Sequence, residues 1–109
     1  KEEYNTRFIA ESPEKILRIV AYYEALLGSA NFSAPVCNAP WVSAVIESNG
    51  DVMPCFFHKP YGNIFTQDFR TIINSQSAVR FRKRLDVRKD ETCKKCVCSL
   101  KLGLMSPFN

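Results

Sequence analysis

The chain has 109 residues, of which 46% are hydrophobic and 24% charged, with a formal net charge of +4. That length allows one modest core, and the composition excludes a chain too polar to fold. No apolar run reaches the ~20 residues that cross a bilayer; the longest, ILRIVAYYEALL, is interrupted by Arg18 and Glu24.

The first residue is Lys1, and no short apolar leader follows it. The sequence is therefore expected to be a piece of a longer polypeptide, and its expected location is the cytoplasm. Residues 1–11 carry no clear pattern. SPEKILRIVAYYEALLG predicts a helix: Ser12 suits the N-cap, Pro13 the first turn and Glu14 the positive end of the dipole. Ile16, Ile19, Val20, Tyr23 and Leu27 form one apolar stripe, read as a core-facing surface. Gly28 is placed to end the helix in the left-handed region. The loop SANFSAPVCNAP, rich in small residues and proline, carries Cys37.

WVSAVIESNGDVMPCFFH predicts a β-hairpin, with Asn49-Gly50 as a two-residue type I′ turn. That register sets Ile46 opposite Met53, Ala44 opposite Cys55 and Val42 opposite Phe57, all on one apolar side. It sets His58 opposite Trp41, on the other side, and His58 is read as a structural or surface histidine. Pro54 predicts an edge strand or an early end to pairing. YGNIF reads as a turn into a short extended piece. TQDFRTIINS predicts a short helix capped at Thr66 or Asp68. SQSAVRFRKRLD predicts another, capped at Ser75 or Ser77, with Val79, Phe81 and Leu85 apolar. Residues 87–109 are expected to be irregular around their cysteines.

Between Arg80 and Lys95 there are eight basic and three acidic residues. Phe81 is the only aromatic among them, so the pattern favours a solvated helix face over nucleic-acid binding.

Five cysteines are an odd number, which does not suit a secreted disulfide framework. A metal centre needs about four thiolates converging on one point. Cys93 and Cys96, in C-K-K-C, form the local half of such a site, and Cys37 with Cys55 is the distant half. The chain must fold back at Pro40 to bring Cys37 near Cys55. Cys98 is the spare thiol, although it could exchange roles with Cys96; His58 is the other ligand type present. Both Zn2+ and an iron–sulfur cluster accept four cysteines. A single C-x-x-C, with gaps of 17 and 37 residues before it, favours a cluster held between separate elements. Phe56, Phe57 and Tyr61 would keep water from it, and Lys94, Lys95 and Arg88 would offset its negative charge. Thioredoxin-type chemistry wants its C-x-x-C at a helix start in a βαβ setting, which this sequence lacks. A nucleophilic cysteine with a histidine base would leave four cysteines unexplained.

CNAPWVSAVIESNGDVMPCFF, followed by YGNI, FRTIINS, FRKRL and CKKC, resembles the SPASM/twitch auxiliary domain of radical S-adenosylmethionine enzymes. The likeness runs over about residues 37–98. Its specific features are the C-x-x-P-W opening, the step from Gly50 to Cys55, the Gly62-Asn63 pair and the C-x-x-C. Ile73 stands where the family often has Trp, and Cys98 stands close to where larger domains carry further ligands. The resemblance implies an auxiliary [4Fe-4S] cluster ligated by Cys37, Cys55, Cys93 and Cys96, with Cys98 as the alternative. It also implies an upstream barrel that binds S-adenosylmethionine and a second cluster, since no C-x-x-x-C-x-x-C occurs in this sequence.

The resulting expectation is an α+β fold: a β-hairpin flanked by helices and organised around a cysteine-ligated centre. Residues 1–30 would be a helical link to the missing barrel and residues 31–109 the cluster-binding domain. The expected function is electron transfer or substrate engagement for a parent radical enzyme, with a peptide or other substrate as a partner. The fragment alone is not expected to be catalytic. The alternative is a structural Zn2+-binding interaction module.

Overall fold

The computed structural model describes residues 2–103. It is an α+β chain that divides into two units, Lys1–Ala34 and Pro35–Asn109. Among the described residues no helix is long and apolar enough to cross a membrane.

The first unit contains α1 (Glu2–Asn5) and α2 (Pro13–Leu26). The start of α2 follows from sequence. The Ser12 hydroxyl accepts the Lys15 amide, and Pro13 occupies the first turn, where no amide is needed. After α2, Gly28 adopts φ +79°, the left-handed conformation expected of it. The apolar stripe, however, is not a core. Val20 is 53% exposed, Tyr23 59% and Leu27 83%. Ala25 is the buried residue of the helix. Among the described residues of this unit only the four-residue α1 accompanies α2, too little to make an opposing layer, and the stripe faces water.

The second unit begins with α3 (Ala39–Val42) and continues through a three-stranded antiparallel sheet in the order β1-β2-β3. Its strands are β1 (Val45–Ile46), β2 (Asp51–Met53) and β3 (Gly62–Asn63). Then come α4 (Phe69–Ile73), α5 (Gln76–Arg84) and α6 (Glu91–Lys94). Asp68 caps α4 and Ser75 caps α5, both from among the predicted residues.

The hairpin register differs from the predicted one by a single residue. Val45, not Ile46, lies opposite Met53, and Ile46 lies opposite Val52. The loop thus has three residues, Ser48 to Gly50, closed by the Gly50 amide on the Glu47 carbonyl at 2.9 Å. A type I′ turn requires positive φ at both central residues. Asn49 does not supply it: among the described residues the one positive-φ non-glycine is Arg7. The Asn49 side chain instead accepts the Asp51 amide, an Asx-turn, and Gly50 alone takes φ +87°.

YGNIF contributes a third strand. Gly62 pairs with Val52, and the Asn63 amide group donates to the Asn49 carbonyl and to Asp51 Oδ1. The core lies where α4 covers β2 and β3. Val52, Ile72 and Ala78 are fully buried. A Cβ on Gly62 would come within 3.3 Å of Ile72, so the glycine lets helix and strand approach closely. Arg82 donates to the Ile73 carbonyl at 2.7 Å, tying α5 back to α4.

Candidate metal centre

Pairing in β2 ends at Met53, and the buried Pro54 turns the chain out of the sheet. Cys55 and His58 lie on the connection that follows. The Tyr61 amide closes this connection onto the Val52 carbonyl at 2.7 Å. On the other flank, the predicted extended segment at Trp41 is the short helix α3. This helix makes the reversal that Cys37 needs, with Pro40 in its first turn. The third contribution comes from α6, where Asp90 is the N-cap and its Oδ1 accepts the Cys93 amide at 2.9 Å. The stretch expected to be irregular therefore contains one helical turn. Its part beyond Gly103 lies outside the described residues.

Cys37, Cys55, Cys93 and Cys96 all line one cavity of about 100 Å³, and Cys98 and His58 line it too. The remaining wall is mainly apolar, including Val45, Phe57 and Leu85. Each cysteine is free, and Cys98 alone is exposed rather than half-buried. Burial, reinforced by a hydrogen bond to Asp90 and by the nearby charges of Asp90, Cys55 and Cys96, pushes the Cys93 thiol up to about 12. Cys96 is also raised, first by burial and then by the proximity of Cys98, Cys37 and Cys55, against a lowering hydrogen bond from the Cys98 amide. Burial pushes the Asp90 carboxyl upward. Its hydrogen bonds to Cys93 and the neighbouring His58 outweigh that push and hold it below the ordinary range.

Hydrogen bonds to sulfur follow a pattern. The Phe57 amide donates to Cys55 Sγ at 3.5 Å, the Cys98 amide to Cys96 Sγ at 3.3 Å and the Leu100 amide to Cys37 Sγ at 3.4 Å. Cys93 Sγ instead meets a side chain, His58 Nε2, at 3.4 Å. The predicted two-residue turn places His58 on the far side of the ribbon. Because the strand stops before His58, strand alternation does not govern it, and its side chain is 11% exposed beside Asp90. The signal was present in C-F-F-H, which has the same three-residue step as C-x-x-C. Asp90, likewise missed, was legible as an N-cap three residues before Cys93. Lys94, Lys95 and Arg88 are exposed, and Lys94 is paired with Glu91 at 2.8 Å.

His58, Asp90 and Cys93 bring their ligating atoms within 4.8 Å of one another, and among the described residues no trio of cysteine sulfurs is so close. Four sulfurs around one zinc ion would be about 3.8 Å apart, given bonds of ~2.3 Å. The cysteines thus surround the cavity more widely than a single ion requires. Free thiols that are spread around an apolar cavity and take amide hydrogen bonds fit an iron–sulfur cluster as a donor set.

The family model of the SPASM iron–sulfur cluster-binding domain matches residues 37–97. The chain belongs to the SPASM family. No curated protein matches it, and no solved structure does. The SPASM segment begins at Cys37 and ends just past Cys96, so it contains all four cysteines of the predicted ligand set, while Cys98 falls immediately outside. It also spans the whole sheet and the helices α3 to α6. An iron–sulfur-binding role is therefore the function of this SPASM domain.

Proposed function

We propose that Cys37, Cys55, Cys93 and Cys96 hold an auxiliary [4Fe-4S] cluster in a cytoplasmic radical S-adenosylmethionine enzyme. In this reading the domain serves electron transfer or substrate engagement. The observation that carries it is the convergence of cysteines from three remote segments on one apolar cavity within the SPASM match. When bound, the cluster supplies a one-electron redox centre. The chain's own residues position the four sulfurs, donate hydrogen bonds to them and keep water away with Val45, Phe57 and Leu85.

Residues 1–30 serve as the helical link to a barrel upstream. The exposed stripe of α2 supports this role, because Val20, Tyr23 and Leu27 each leave more than half of their surface to water. Exposed Phe56 and Phe57, near the cavity, offer an apolar surface to a peptide or similar substrate.

A second reading, a structural Zn2+ site, has the His58–Asp90–Cys93 trio behind it. Anaerobic purification followed by visible absorption, iron and sulfide analysis separates the two. Iron and sulfide in equal amounts, about four of each per chain, are expected for the cubane. Stoichiometric zinc in a colourless native protein would favour the second reading.

A further inference from the structure

Cys37, Cys55 and Cys96 each accept an amide hydrogen bond at sulfur, whereas Cys93 Sγ faces an imidazole nitrogen instead. Cys55 and Cys96 take theirs from the amide two residues ahead. Cys37 takes its bond from Leu100. Cys93 lies inside α6, and the Lys95 and Cys96 amides that follow it both donate to its carbonyl rather than to its sulfur. Its own amide is directed to Asp90. The position facing its sulfur is filled by His58 Nε2, which is also 3.7 Å from Asp90 Oδ1. The imidazole is held edge-on to the Phe81 ring, with centroids 4.9 Å apart.

We propose that His58 is a positioning residue for the cluster: its Nε2–H donates a hydrogen bond to the Cys93 thiolate and is not itself a ligand. This rests on the cluster-binding reading above. A ligating thiolate has no proton and can only accept, so the imidazole at 3.4 Å must be the donor. The neutral tautomer protonated at Nε2 is sufficient, and Asp90 Oδ1, an acceptor beside the same nitrogen, favours that tautomer. Four cysteines already complete the cluster's coordination, which leaves His58 outside it. A donor to thiolate sulfur disperses negative charge and favours the reduced state.

His58 is the only histidine in the chain, so labelling with 15N-histidine marks one site. The sample is the anaerobically loaded full chain, reduced and examined by pulsed electron paramagnetic resonance. A weak 15N coupling is the expected result. A strong coupling, characteristic of direct iron–nitrogen bonding, would overturn the proposal, as would no coupling at all. Two variants add a second readout. His58→Phe keeps a ring against Phe81 and should shift the cluster's potential to more negative values. His58→Gln, whose amide reaches a similar distance, should restore it; equal potentials in all three proteins would contradict the assignment. A chain that binds no iron and sulfide overturns the function itself, and this inference with it. A loaded cluster without 15N coupling overturns the inference alone.

Discussion

The Leu100 amide donates to Cys37 Sγ at 3.4 Å, joining residues 63 positions apart. Asn38 strengthens the same junction on every side. Its amide donates to the Leu100 carbonyl at 2.7 Å, and its side chain both donates to and accepts from the Leu102 backbone, at 2.7 and 2.9 Å. The segment after C-x-x-C is thereby paired with the loop that carries Cys37. This pairing brings the most remote cysteine to the cavity.

Asn38→Ala removes both side-chain bonds and leaves the Leu102 amide and carbonyl without them. The expected cost is about 1–3 kcal/mol of domain stability. Iron should also pass to a chelator faster than from the parent chain. Urea unfolding and the time course of chelation measure the two effects. An unchanged rate of iron loss would show that the junction does not hold Cys37 in place.

Replacing Cys93 or Cys55 by serine should abolish cluster retention, whereas Cys98→Ser should leave most of it. Cys98 is exposed and lies just beyond the family match. Iron and sulfide per chain, measured side by side, test the assignment. Equal loss in all three variants would refute the choice of Cys98 as the spare thiol.

The metal-free domain should lose stability in alkaline solution. Cys93 is pushed up to about 12 from an ordinary 9.0, mainly by burial and by Asp90. The fold therefore favours the protonated thiol. This contribution is fully present below pH 9 and disappears as pH rises toward about 12. Urea midpoints taken across that window should fall more steeply for the parent chain than for Cys93→Ser. Parallel profiles would count against a perturbed Cys93.

Gly50→Ala should destabilise the sheet by about 1–2 kcal/mol, the penalty for a left-handed residue with a side chain. Gly50 has φ +87°, and an added Cβ would come within 2.8 Å of Asn63 Oδ1. That oxygen accepts the Phe65 amide, so shifting it would loosen the entry to α4 as well. Thermal unfolding compared with the parent chain reads the loss. An unchanged midpoint would mean that the loop can adopt another turn type.

Much of the candidate site was legible along the chain, but its wiring was not. The C-x-x-C step and the two distant cysteines could be read from spacing, because metal chemistry limits which residue types suffice. The hairpin was legible from Asn49-Gly50, but its register was not. Asn49 chose a side-chain bond to the Asp51 amide over a positive φ, and one slipped residue exchanges the faces of the ribbon. His58 departs from its predicted side for a related reason: β2 ends at Met53, before Pro54, so strand alternation does not reach it.

The sequence by itself determined the local features: the caps at Ser12, Asp68 and Ser75, the left-handed glycines, and a thiol set suited to a metal centre. These depend on neighbours a few residues apart, whose chemistry restricts the backbone directly. Only the tertiary structure decided that Cys37 meets Leu100, that His58 faces Cys93 and that the stripe of α2 lies open to water. Those outcomes depend on which distant segments come to share a surface, and the side chains next to each residue in sequence do not specify that choice.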